Sequence, residues 1–426
     1  MEIDARWLSR AWWRAVTHVR DAAPLPDGMV RHAVNPSLGA HLRPSWAQTV
    51  GPCRQATVLL DAGVYWGNVR KAFILCLLAS LAGCDNTSAP PASGFAGLGA
   101  AAEGFTQVQP GAGIRLPEDH GAHPDYRIEW WYVTANLTDE QGKRWGAQWT
   151  LFRQALTPQS AEQAADGWQS EQVWLGHAAL TQADGHLHAD RLARGGVGQA
   201  GVTIEPFEAW IDHWAIRGEA NQRLSPLQVS ASGEGFSYQL QLKSELPMVL
   251  QGEEGYSRKS EGDQASWYMS QPFYQVQGDI QWQGQTHRVT GQAWLDREWS
   301  SQPLAADQQG WDWFSLHMDS GDKLMLFRLR SDDDSHYYSG TWITAAGDAT
   351  PLRPEQISMQ PLNQVKVAQR EVPTRWRLLV PSQQLDITTQ ALNDQAWMGT
   401  GIPYWEGPVE FSGSHHGLGY LEMTGY

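Results

Sequence analysis

The sequence has little sulfur, a shortage of positive charge and no long apolar run, and each shortage closes off a class of protein. Three cysteines in 426 residues, at positions 53, 76 and 84, cannot build a disulfide scaffold or a Cys-rich zinc site. Lysine and arginine number 31 against 46 aspartates and glutamates, a formal net charge of −15. Residues 1–84 hold 9 basic and 5 acidic side chains, which leaves 22 and 41 for residues 85–426, near −19. Such a surface repels nucleic acid and anionic headgroups. An apolar or neutral ligand stays open. The longest apolar run, from Ala72 to Leu81, is about half of the roughly 20 residues a membrane-spanning helix needs.

Chemical motifs are also few. The chain lacks a Gly-x-Ser-x-Gly elbow and a His-Glu-x-x-His helix, and Gly195-Gly-Val-Gly198 does not have phosphate-binding spacing. Ordinary serine, cysteine or zinc hydrolysis is therefore unsupported, and no cofactor is implied. His120 and His123 with Asp119 and Asp125 fall in a loop without a second cluster of ligand spacing, so no metal is expected.

The composition is rich in tryptophan, with 23, and in glycine, with 42, which favours turns and aromatic strands. Short runs of β-branched and aromatic residues recur at 128–137, 145–153, 172–180, 208–217, 236–242, 274–282 and 287–294, bounded by Gly, Asp and Asn. An all-β chain follows, and a closed barrel would remove its exposed edges. A weak internal repeat points to two such units. Trp131-Tyr132 opens a strand that turns at Gly142-Lys143 and returns as Leu151-Phe152-Arg153; Trp313-Phe314 turns at Gly321-Asp322 and returns as Leu326-Phe327-Arg328. In each, the Trp and Arg are expected to stack and close a barrel end. The units are placed at 115–293 and 294–426.

Ahead of them, Arg70-Lys71, the apolar run and Ala82-Gly83-Cys84 follow the order of an export signal. Leu81-Ala82-Gly83-Cys84 also matches a bacterial lipobox, so 70–84 is expected to be a lipoprotein signal and Cys84 the lipidated first residue. A signal begins close to an initiator. Residues 1–69 therefore suggest a non-native extension, with translation from Val64 or Val69. Cleavage would leave Cys84 as the sole cysteine, its acyl chains an effectively permanent membrane anchor. Asp85 after it favours retention at the periplasmic face of the inner membrane, and 85–114 would be a flexible tether.

The blocks Asp119-His-Gly-Ala-His-Pro-Asp-Tyr-Arg-Ile-Glu-Trp-Trp-Tyr132, Trp267-Tyr-Met-Ser-Gln-Pro272, Gly291-Gln-Ala-Trp-Leu-Asp-Arg-Glu-Trp-Ser-Ser-Gln-Pro303, Gly310-Trp-Asp-Trp-Phe314, Tyr404-Trp-Glu-Gly-Pro408 and Gly419-Tyr-Leu-Glu-Met-Thr-Gly-Tyr426 resemble the tandem-lipocalin family of carotenoid 1,2-hydratases and AttH-type "predicted secreted hydrolases". The resemblance implies two lipocalin-like (calycin) antiparallel β-barrels packed together, with a ligand site near their junction. It also aligns Asp296 with the hydratases' catalytic acid, although those enzymes carry a His-rich surround where this chain has Arg297-Glu298-Trp299.

Hydrating an isolated alkene needs a carboxylic acid kept protonated near neutral pH by burial or by a second carboxylate. Asp296 and Glu298, two apart, share one strand face with Trp294, and Arg297 and Trp299 take the other. Trp311 and Trp313 are candidates to stabilise a developing cation. Against this, an Arg beside Asp296 would keep it ionised, and the three charges could instead form a network tying the barrels. Tyr268 and Arg297 are further ligand-binding candidates. Trp131 or Tyr132 would line the pocket or fill a core; His177 and His317 would act as acid and base or be satisfied core residues.

Three functional readings result. The first is a periplasmic lipid-anchored protein that binds a hydrophobic isoprenoid- or lipid-like molecule in a barrel mouth and hands it to an inner-membrane transporter. The second is a hydratase using Asp296. The third is a scaffold whose barrels are filled by side chains.

Overall fold

The computed structural model describes residues 95–426, apart from positions 99, 101, 161, 162, 164–166 and 334. The expected extension 1–69, the signal 70–84 with Cys84, and the tether up to residue 94 lie outside the described residues. From Phe95 onward the tether expectation fails. Leu98 and Val108 are buried in apolar clusters, and Arg127 donates to the carbonyls of Gly97, Leu98 and Ala100.

Thirteen strands make the first sheet. They are β1 (Ile128–Asp139), β2 (Arg144–Ala155), β3 (Gln172–Gln182), β4 (Gly185–Arg194), β5 (Ala200–Thr203), β6 (Phe207–Ile211), β7 (Trp214–Gly218), β8 (Leu227–Gly233), β9 (Phe236–Lys243), the short β10 (Val249–Leu250) and β11 (Tyr256–Arg258), β12 (Ala265–Trp282) and β13 (Gln285–Ser300). The second sheet holds β14 (Gln308–Met318), β15 (Lys323–Ser331), β16 (Tyr337–Ile343), β17 (Ala349–Leu352), β18 (Ser358–Pro361), β21 (Arg375–Val380), β22 (Leu385–Ala391), β23 (Trp397–Met398), β24 (Tyr404–Gly413) and β25 (Gly417–Met423); β19 (Val365–Val367) and β20 (Arg370–Val372) pair as a separate ribbon. In each sheet a late strand returns to the first, β13 to β1 and β25 to β14. Both sheets curl into nearly closed antiparallel barrels.

Alternation decides which way each side chain faces. In β9, Phe236-Ser-Tyr-Gln-Leu-Gln-Leu-Lys buries every second residue, the period of a half-solvated strand. β1 is buried along nearly its whole length. One of its faces, with Trp131 and Val133, joins the first barrel's core. The other, with Ile128 and Tyr132, joins a separate cluster containing Trp313, Met325 and Phe327 from the second sheet. The barrels thus pack by outer faces, strands β3-β2-β1-β13-β12 against β15-β14-β25-β24. Gly146 allows the close approach, because a Cβ there would lie 2.6 Å from Pro408 and from the Tyr420 hydroxyl.

Three expectations change. The unit boundary at 293/294 falls inside β13, which is bonded along its length to β1 and β12; the first sheet continues to Ser300. Among the described residues both barrel interiors are packed with side chains, Trp131, Trp145, Trp149 and Trp214 in one and Trp376 and Trp405 in the other, and the apolar cavity lies outside both. Among the described residues the expected Trp131–Arg153 and Trp313–Arg328 stacks are not the ones formed; acids and other rings take these arginines, and Trp313 faces the junction. Glu129 is held by Arg153 and, at 3.0 Å, by Arg297, which stacks over Trp131 at 3.8 Å. Asp312 is held by Arg328 at 2.7 Å and Arg330 at 2.8 Å, with Arg328 over Trp376.

Candidate functional site

The open space lies between the barrels. A cavity of about 110 Å³ is walled by the outer faces of both sheets. Its apolar wall includes Trp130, Phe152, Leu175, Trp313, Phe327 and Leu329. Part of this wall is a single cross-strand row. Leu192, Leu175, Phe152, Trp130 and Glu298 stand opposite one another in turn across β4, β3, β2, β1 and β13. Leu192 is 46% exposed and Glu298 is 5% exposed, so the row runs from solvent to the cavity's interior over four strand spacings, about 19 Å.

Alternation on β13 brings Trp294, Asp296 and Glu298 to the cavity side. Asp296 is buried and receives three neutral donors: Ser270 Oγ at 2.5 Å and Trp294 Nε1 at 2.6 Å on Oδ1, and Tyr268 OH at 2.8 Å on Oδ2. Trp313 Nε1 in turn donates to the Tyr268 hydroxyl at 3.0 Å. Burial pushes the Asp296 carboxyl up to about 7, against the pull of those donors. Glu298 is paired with Lys259 at 2.8 Å, a cation from the loop before β12.

The second sheet contributes carboxyls as well. Glu422 on β25 lines the cavity and accepts from Trp311 Nε1 at 2.5 Å. Burial raises it to about 7. Next to it on β24, buried Glu406 accepts from the Tyr132 hydroxyl, and burial followed by the charge of Glu422 raises it well above the carboxylate range. His177 Nδ1 meets the Tyr404 hydroxyl at 3.0 Å, and burial lowers His177 to about 3, so it is neutral at pH 7.

Of the residues singled out from sequence, Asp296, Glu298, Tyr132, Tyr268, Trp311, Trp313 and His177 line the cavity. Trp294 stands behind Asp296, and His317 packs edge-on against Trp294 at 5.7 Å while bonding the Pro272 carbonyl at a bulge in β12. Trp131 and Arg297 do not reach the cavity. They sit on the opposite faces of β1 and β13, where Arg297 is committed to Glu129. The expected Asp296–Arg297–Glu298 network is therefore absent, and only the Glu298–Lys259 pair remains of it. Sequence reasoning missed Lys259, Tyr404, Glu406 and Glu422. The last three carried a signal, since Tyr404-Trp405-Glu406 and Tyr420-Leu421-Glu422 place acids in register with aromatic residues on one face of strong strands. Among the described residues no group of three or more His, Cys, Asp and Glu could hold a metal ion.

A comparison with curated proteins gave no match. Among solved structures, the chain is similar to a protein provisionally named AttH from Nitrosomonas europaea, with a TM-score of 0.67 and 35% identity over 76% of this chain and 100% of that one. It shares its fold with kievitone hydratase from Nectria haematococca, with a TM-score of 0.57 and 14% identity over 76% of this chain and 96% of that one. The sequence profile of the AttH-like family matches residues 107–426. With that match covering the whole two-barrel region, the chain belongs to the AttH-like family.

Proposed function

We propose that the cavity between the barrels binds an elongated apolar, unsaturated molecule of isoprenoid or lipid type, and that Asp296 acts on it as a general acid in a hydratase-type reaction. The observation that carries this reading is the setting of Asp296. It is a buried carboxyl on an apolar wall, bonded only to neutral donors, with the neighbouring guanidinium turned to the other face of the strand. At neutral pH such a group is divided between its acid and its base form, which suits it to deliver a proton and recover one. In the first step the O–H bond of Asp296 breaks as its proton forms a C–H bond with one alkene carbon. Positive charge develops on the other carbon among the rings of Tyr132, Trp311 and Trp313. Water then supplies the hydroxyl.

The test uses the full chain with squalene and oleic acid as probes in ¹⁸O-labelled water, read by mass spectrometry, with binding read from tryptophan fluorescence. The expected result is ¹⁸O-alcohol from one probe, a loss of turnover of at least ~100-fold in Asp296→Asn, and unchanged probe binding in that variant. Wild-type turnover in the variant would remove Asp296 from the chemistry. Binding without turnover would leave a carrier, and absence of binding would end the reading.

The same reading places the protein at the periplasmic face of the inner membrane, anchored through Cys84, close to apolar ligands and to a transporter that would receive them. It is supported by the order of charged, apolar and small residues over 70–84. Cells fed labelled palmitate are expected to label the wild-type chain and not Cys84→Ser.

A further inference from the structure

The hydration reading leaves one step without a residue: water adding to a cation must lose a proton. The second sheet holds a group placed for it. Glu406 and Glu422 stand directly opposite each other on β24 and β25, so their carboxyls share one face at the closest cross-strand distance, about 5 Å between Cβ atoms. Among the described residues neither forms an ion pair with Lys, Arg or His. Glu406 is 1% exposed, and of the described residues only the Tyr132 and Tyr404 hydroxyls reach its carboxyl. Two adjacent buried carboxylates without a cation cannot both ionise; one proton kept by the pair relieves the repulsion, and the Tyr132 hydroxyl lies against both carboxyls. The facing titratable groups are Asp296 and Glu298 on β13, the latter paired with Lys259, Tyr132 on β1, His177 on β3, Tyr238 on β9 and Tyr268 on β12, with Tyr404 and Tyr420 on the pair's own strands. The single ammonium among them is taken by Glu298.

We propose that Glu422 is a second catalytic residue of the cavity, the base for adding water, and that Glu406 is its positioning residue, holding the proton the pair shares. The inference rests on the hydration reading above. As the water oxygen forms its bond to the cationic carbon, an O–H bond breaks and the proton passes to the Glu422 carboxylate. Asp296 has given one proton to carbon and Glu422 has received one from water, so the sum is alkene plus water to alcohol, and the two carboxyls re-equilibrate with solvent between turnovers. Because Asp296 belongs to the first sheet and Glu422 to the second, proton and hydroxyl arrive from opposite walls.

Two measurements test the pair. The first needs no substrate: infrared titration of the full chain follows protonated carboxyl groups. A neutral-pH band that loses one group's intensity in Glu406→Gln, with the surviving Glu406 of Glu422→Gln titrating at lower pH than in the wild type, is expected. An unchanged band and unmoved titration would overturn the shared proton. The second uses squalene and oleic acid in D₂O. Glu422→Gln is expected to lose hydration by at least ~100-fold while still exchanging deuterium into recovered alkene, because Asp296 still protonates it; Asp296→Asn loses both. Retained exchange also reports that the variant is folded. Hydration by Glu422→Gln at the wild-type rate would overturn the base. A wild-type chain that hydrates neither probe would take down the hydration reading, and the base with it, whatever the infrared result.

Discussion

Asp296 and Arg297 adjoin in the chain and point to opposite sides of β13, and the chemistry of the cavity turns on that alternation. Arg297 is expected to act on stability alone. Arg297→Met leaves Glu129 with one guanidinium in place of two, at a cost of about 3–5 kcal/mol in urea unfolding. The pH dependence that Asp296 confers should not move; a shift there would mean that the guanidinium reaches the cavity after all. Asp296 itself carries the opposite sign from an ordinary ion-paired carboxylate. Its folded-state value, about 7, lies above the ordinary 3.8, so its contribution to stability is full below 3.8 and is lost as pH rises to about 7. The stability difference between Asp296→Asn and wild type should therefore shift in the variant's favour by roughly 1.4 kcal/mol per pH unit across that window and level off above it, measured by thermal or urea unfolding at stepped pH. At this scale the sequence was legible where period 2 applied. It put Asp296, Glu298 and Trp294 on one face and Arg297 on the other. What it could not convey was the destination of each face, and so a guanidinium one residue away was read as the partner of Asp296.

At the scale of the strand, hairpins were the readable unit. The turns at Gly142-Lys143 and Gly321-Asp322 join β1 to β2 and β14 to β15 as expected. The end of the first sheet was not readable, because β13 gathers its pairing partners from β1, more than 150 residues earlier, and nothing local marks such a contact. For the same reason the row Leu192-Leu175-Phe152-Trp130 is invisible in sequence. It exists only as register across four strands. Phe152 stands in the middle of it, with its ring 5.3 Å from His177 and 6.5 Å from Trp130. If an elongated ligand lies along the row, Phe152→Ala should raise the Kd for squalene about tenfold, equivalent to about 1.4 kcal/mol, with little change for a probe short enough to stay beside Asp296. Equal loss for long and short probes would place the ligand elsewhere.

Across the molecule, buried titratable groups of opposite kinds pull stability in opposite directions below neutrality. His177 and His317 are buried and His186 is half-buried, and all three are lowered to about 3 by loss of hydration. Their folded-state values lie below the ordinary 6.5, so the stability they allow is present above 6.5 and is lost as pH falls through the window toward 3. Asp296 and Glu422, raised to about 7, withdraw stability as pH rises toward that value. Between about 4 and 6.5 the two sets oppose each other, so unfolding stability should rise less steeply from acid to neutral pH than in the double variant Asp296→Asn, Glu422→Gln; equal slopes in the two proteins would contradict the raised carboxyls. The two-barrel architecture was legible from strand spacing, the repeat and the signature blocks. That the junction holds the open space was implied by the resemblance alone; composition and period could not tell it, since all three spaces are lined with tryptophan and only packing separates a filled interior from an open junction.

The separation of Trp131 and Trp149 in one core, Trp376 and Trp405 in another, and Trp130 and Trp313 on the wall between them bears on how such a protein changes over generations. Each barrel keeps its own tryptophan core away from the junction, so on the proposed function substitutions along the junction are expected to alter binding before they unfold either barrel. On that function, a change of ligand calls for substitutions at the seam alone.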